Sequence, residues 1–160
     1  MTTAEVSIWW PYTDSNQDGT PDTTIPNVVV KANQSADADY AASDYIAALQ
    51  QQVSFGTPAE LQFLHRTAHI IVNLTSETLD LTTASVSFSN LSESNGNPAV
   101  IIPHKASDNS YEALVAPQVL AAQTQFVTIV ASNGKSYIYE LQKETQWQEG
   151  HFYTYTITVE

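Results

Sequence analysis

Short runs of alternating apolar and polar residues, separated by turn residues, recur along most of this chain. A strand sends successive side chains to opposite faces, so a period of two marks strands buried on one side. Residues 4–10 alternate and carry Val6, Ile8 and Trp10 on one face. Residues 27–32 form a short run built on Val28, Val29 and Val30. Residues 61–74 are longer and change parity. Leu61 and Phe63 point one way, whereas Ala68, Ile70, Val72 and Leu74 point the other. A regular strand cannot do both, which predicts a bulge or bend near His65 and Arg66.

Further strands are expected over 84–88, 99–102, 111–115, 125–131, 136–141 and 152–159. The last is the clearest: Tyr153, Tyr155, Ile157 and Val159 share one face, and Thr154, Thr156 and Thr158 the other. Asn133 and Gly134 both tolerate positive φ and predict a two-residue hairpin between two of these strands. One segment reads differently. Residues 43–52 lack Gly and Pro, offer Ser43 as an N-cap, and place Tyr45, Ile46 and Leu49 on one helical stripe. A short helix crossing one end of the fold is expected there. The fold class is therefore all-β: an antiparallel sandwich of about seven to nine strands with one short helix. No linker divides residues 1–160, so one domain is expected, either complete or an excerpt of a longer chain.

Composition narrows the function. A length of 160 residues suits a single domain, and 42% hydrophobic residues suffice for a core. The 17 acidic and 5 basic side chains leave a net charge of -12. That argues against nucleic acid and anionic membrane surfaces, which need clustered Lys and Arg. The absence of cysteine excludes disulfides, thiolate zinc sites and cysteine nucleophiles, and favours a bacterial source. No run reaches the ~18 apolar residues of a membrane helix. The opening residues Met1–Glu5 lack the basic start and apolar run of a signal peptide.

The sharpest motif is the segment Asp14 to Asp22. Asp14, Asn16, Asp18 and Asp22 place oxygen side chains at loop positions 1, 3, 5 and 9, and Gly19 occupies the sharp-turn position 6. Thr20 can offer its backbone carbonyl. Calcium wants six to eight oxygens, and alternate residues of a tight loop can converge on one point. The loop departs from an EF-hand where a bidentate Glu belongs, since Ile25 stands there. Its spacing is closer to the shorter aspartate loops of thrombospondin type 3 repeats. Ca2+ at Asp14, Asn16, Asp18, Thr20 and Asp22 is thus one expectation; a polar turn built from good turn formers is the other.

The remaining motifs are weaker. Gly134-Lys135-Ser136 lacks the upstream Gly of a phosphate loop, because Ile129 occupies that place. His65 and His69 would lie ~13 Å apart on a strand, too far to share an ion. With His104 and His151 they read as structural histidines. No Gly-x-Ser-x-Gly or His-Glu-x-x-His occurs, and nothing selects a carboxylate pair for glycoside chemistry. Trp9, Trp10 and Trp147 are either core or a sugar-stacking platform.

Several blocks, taken in order, resemble fimbrillin-like proteins of gut and oral Bacteroidales. Trp9-Trp10-Pro11-Tyr12 is similar to their early aromatic-aromatic-Pro-Tyr strand. Asn33-Gln34-Ser35, Tyr40 and Ser43–Ala48 resemble the stretch that follows, and Leu61–Leu74 the next strand. Ala116-Pro117-Gln118, Ser136–Leu141 and Trp147–Val159 resemble later blocks up to the closing strand. The resemblance implies a transthyretin-like sandwich exported to the surface of a Gram-negative bacterium, attached at the outer membrane, in a fimbria. It implies a non-enzymatic pilus subunit or adhesin whose partners are other fimbrial subunits, joined by donor-strand exchange. A lipoprotein signal, an earlier strand and a second sandwich domain, usual in the family, do not appear within these residues. The donor strand has no identifiable place here. The alternative is a calcium-stabilised binding module that recognises glycans or a host protein through loops and exposed aromatics. No nucleophile, acid–base pair or complete metal site argues for an enzyme.

Overall fold

A computed structural model describes residues 2–160. Its elements are β1 (Thr3–Trp10), α1 (Asp37–Ala42), β2 (Ile46–Ser54), β3 (Leu64–His65), β4 (Ala68–Thr75), β5 (Ser85–Phe88), β6 (His104–Ser107), β7 (Ser110–Val115), β8 (Gln118–Leu120), β9 (Gln125–Val130), β10 (Ser136–Glu140), β11 (Thr145–Trp147) and β12 (Phe152–Thr158). A 3-10 turn spans Ser94–Gly96.

Two sheets face each other. One has the order β12-β4-β7-β6, the other β10-β9-β5, widened by an antiparallel bridge from Phe88 to Ile101. The period-two pattern does what it predicts in β4, where Ala68, Ile70, Val72 and Leu74 are buried and the residues between them are not. They meet Val86, Phe88, Val127 and Ile129 from the opposite sheet in one core. An aromatic cluster anchors it. The Phe126 ring lies 5.1 Å from both Phe88 and Trp147 and 5.3 Å from Tyr155, centroid to centroid. Such edge and tilted contacts add to the area term. The strand pairs are antiparallel as expected, with one exception among the described residues: β12 runs parallel to β4, from Phe152 beside His69 to Thr158 beside Thr75.

The expected bend at His65–Arg66 is present, and its physical reason is a change of sheet. The chain leaves β3, which pairs with β2, and enters β4 in the core sheet. A single strand spanning both would have put one of the two apolar sets in water.

The helix expected over 43–52 is not there. Ile46–Ser54 is strand β2, paired antiparallel with β1 from Trp10–Ile46 to Thr3–Ser54. A helix of about ten residues is marginal alone, and the partner strand β1 outweighs local propensity. The pairing absorbs an extra residue opposite Ser7, where Gln50 takes φ 53° and its N–H bonds the Ser7 hydroxyl at 3.0 Å. The true helix, α1, lies just upstream. Its first turn holds Asp37 and Asp39, which suit the positive end of the helix dipole. Ser43 sits at its other end, buried, donating to the Asp39 carbonyl and accepting from the Lys31 N–H.

Three further expectations change. The runs at 27–32 and 99–102 form no strands; they meet at a single bridge from Asn33 to Ile102, with the Gln34 and Ile102 N–H groups donating to the Ile102 and Ala32 carbonyls at 2.8 Å. The hairpin at Asn133-Gly134 has three loop residues, closed between Ala131 and Lys135, with Gly134 alone at φ 78°. Only one residue needs the left-handed region in such a loop. Finally, the Val6-Ile8-Trp10 face does not join the core. The β1-β2-β3 sheet stands beside the sandwich, and Ile8 and Trp10 are 42% and 57% exposed.

Candidate functional site

The first candidate is the Asp14–Asp22 loop. Its carboxylates are turned to the loop's own N–H groups. Asp14 accepts from the N–H groups of Asp18 and Gly19, at 3.1 and 2.9 Å. Asp18 accepts from the Asn16 amide, the Thr20 N–H and the Thr20 hydroxyl. Asp22 accepts from the Ser15 N–H and hydroxyl. Among the described residues no three His, Asp or Glu side chains converge as metal ligands. The Thr20 bonds hold the Asp18 carboxyl below its usual value of 3.8. A depressed folded-state value stabilises the turn above pH ~4, and that contribution fades as pH falls through it.

Each of the four histidines serves a neighbour. His65 donates from Nδ1 to Asp44 at 2.8 Å. His69 and His104 clamp opposite oxygens of Glu112, at 2.8 and 3.3 Å, and His104 Nε2 reaches Asp37 at 2.9 Å. His151 Nδ1 donates to the Glu149 carbonyl. Tyr40 stacks on His104 and places its hydroxyl 3.1 Å from His69 Nε2. Burial first, then the Glu112 charge, pushes the Tyr40 phenol up. That is the opposite of an activated nucleophile. The cluster instead ties α1 to the core sheet. Nothing in the sequence marks Glu112 as its centre, because its partners come from segments far apart along the chain.

Of the tryptophans, Trp147 is core, 1% exposed, with its indole N–H donating to the Tyr155 hydroxyl at 3.0 Å. It cannot join a sugar-stacking platform with Trp9 and Trp10.

The most distinctive surface is a seam. β12 and β10 are the outermost strands of their sheets on the same side of the sandwich, as the Tyr139 and Tyr155 rings, 6.1 Å apart, show. Tyr137, Tyr139, Tyr153 and Tyr155 all point to the inner faces yet are only half-buried against the core. The ladder that β12 shares with β4 is regular. At one end the His69 N–H donates to the His151 carbonyl, and at the other the Val159 N–H donates to the Thr75 carbonyl. Parallel pairing uses alternate residues, so the N–H groups of Phe152, Thr154, Thr156 and Thr158 face away from β4. This edge therefore carries outward-facing backbone N–H groups beside tyrosines that the core covers only in part.

A family model described as fimbrillin-like matches residues 2–160. The chain belongs to the fimbrillin-like family. Solved structures share the fold. A candidate cell adhesion protein from Bacteroides ovatus is 17% identical, with a TM-score of 0.66, over 98% of this chain and 62% of that one. Another, from Bacteroides uniformis, is 17% identical, with a TM-score of 0.63, over 96% of this chain and 66% of that one. A fimbrial protein from Bacteroides ovatus is 16% identical, with a TM-score of 0.51, over 82% of this chain and 30% of that one. The chain thus spans less than two thirds of the length of these structures. No curated protein matches it.

The fimbrillin-like blocks of the sequence acquire physical roles in the structure. Gln34, in the Asn33-Gln34-Ser35 block, is fully buried. Its side-chain amide donates to the carbonyls of Leu114 and Lys31, at 2.8 and 3.0 Å, and its oxygen accepts from the Leu114 N–H at 2.9 Å. Strand β6 covers β7 only from Ser110 to Glu112. Gln34 takes over the strand's hydrogen bonding where β6 stops.

Proposed function

We propose that this chain is a non-enzymatic subunit of a fimbria, or an adhesin associated with one, that works at the cell surface by accepting a β-strand from a neighbouring subunit. Family membership supports the fimbrial role, and the β10/β12 seam supports the mode of assembly. An added strand would pair with the outward N–H and C=O groups of β12 and cover the half-buried tyrosines, which is β-augmentation. The contact would complete a core instead of resting on a surface patch.

Thr154→Pro tests this. It removes an N–H that β4 does not use, on an edge strand where proline is tolerated. Multimers are expected to disappear, while the isolated domain keeps its circular dichroism and loses only a few degrees of Tm, for a cost of about 1 kcal/mol. Multimers that persist in a folded Thr154→Pro variant would rule out pairing at this edge.

Calcium at the Asp14–Asp22 loop is a separate proposal. Its support is the chemistry of the donors, all hard oxygens, which a cation would take over from the loop's N–H groups. Millimolar calcium is expected to raise Tm, and Asp18→Ala to abolish the rise. An unchanged Tm would remove the proposal.

A further inference from the structure

A cavity of about 390 Å³ opens between α1, the His65–His69 bend and the start of β12. Its size suits a small ligand. Thr67 lines it, and the Thr67 hydroxyl is buried with no hydrogen-bond partner.

The polar groups along the walls define the ligand this cavity suits. His65 and His151 each commit Nδ1–H to a neighbour, Asp44 and the Glu149 carbonyl, so the neutral ring keeps Nε2 as an acceptor. Asp44 itself lines the cavity and has a second carboxylate oxygen. His69 directs Nε2 to Glu112, which leaves Nδ1 as an acceptor. Among the described residues no Lys or Arg lines the cavity. The lining thus holds imidazoles and a carboxylate but no Lys or Arg, which selects against anionic ligands. Between the polar groups the walls are apolar, with Leu114 and the Tyr40 ring, and Phe152 stands at the cavity with 73% of its surface exposed. A ligand rich in O–H donors with an apolar face fits both features.

We propose that this pocket binds the end group of a neutral saccharide, its hydroxyls donating to the imidazoles and Asp44, and one of its ring faces lying on Phe152. The proposal does not depend on strand addition, because it concerns the isolated chain.

Galactose, mannose and N-acetylglucosamine, titrated by NMR into the isolated chain, test it. N-acetylneuraminic acid and free lysine serve as anionic and cationic comparisons. At least one neutral sugar is expected to give saturable shifts around this cavity by about 10 mM, as a Kd near 1 mM requires. Phe152→Ala should weaken binding about tenfold, a loss of about 1.4 kcal/mol. The variant should fold, since it trims a ring that is 73% exposed. Absence of neutral-sugar binding, unchanged affinity in Phe152→Ala, or preference for the anion or for lysine would each overturn the proposal.

Discussion

Phe126→Ala is expected to destabilise the domain by about 3–5 kcal/mol. Phe126 is fully buried and touches aromatic rings from β5, β11 and β12 at once. Truncation removes transfer energy and leaves a cavity that three separate elements would have to move to fill. For a domain of 160 residues this corresponds to a fall in Tm of roughly 10–15 °C. Urea unfolding should show a lower midpoint with an unchanged slope. A shift within about 1 kcal/mol would mean that the cluster collapses without cost and is not the anchor of the core.

Gln34→Ala is expected to cost about 3 kcal/mol, although it removes a polar side chain. The substitution strands the Leu114 N–H and carbonyl and the Lys31 carbonyl away from their partner. Each buried group left unsatisfied costs about 1–3 kcal/mol. Gln34→Glu should not rescue, because a carboxylate accepts from Leu114 but cannot donate to either carbonyl, and burial penalises its charge. Denaturant unfolding of the three proteins measures this directly. Equal stability for Gln34→Ala would show that water satisfies the edge of β7.

The core sheet and Gln34 differ in how far the sequence announces them. The buried face of β4 is written in its alternation, and so is the bend after His65, because a parity change has few structural solutions. The role of Gln34 is not: a glutamine in a polar stretch reads as surface, and only the end of β6 exposes the gap it fills. The failed helix at 43–52 has the same origin. Its apolar stripe is real, but β1 offers β2 a full row of backbone partners, and that long-range pairing is not encoded in so short a window. The Asp14–Asp22 turn is legible as a loop, while the direction of its carboxylates depends on N–H groups that spacing alone does not place. The seam is the least legible, because four tyrosines on inward faces look like ordinary core until the edges of the two sheets are seen to meet there. The pocket at Thr67 likewise joins residues from four distant segments.

Neighbouring subunits are expected to assemble by completing the β10/β12 seam. The most direct test is a denaturing gel of cell-surface extract, run without boiling and blotted for this domain. A ladder of multimers that collapses to monomer on boiling is the predicted result, since a strand shared between subunits should resist detergent until heat unfolds the sandwich. A single band at monomer size before boiling would contradict strand-mediated assembly.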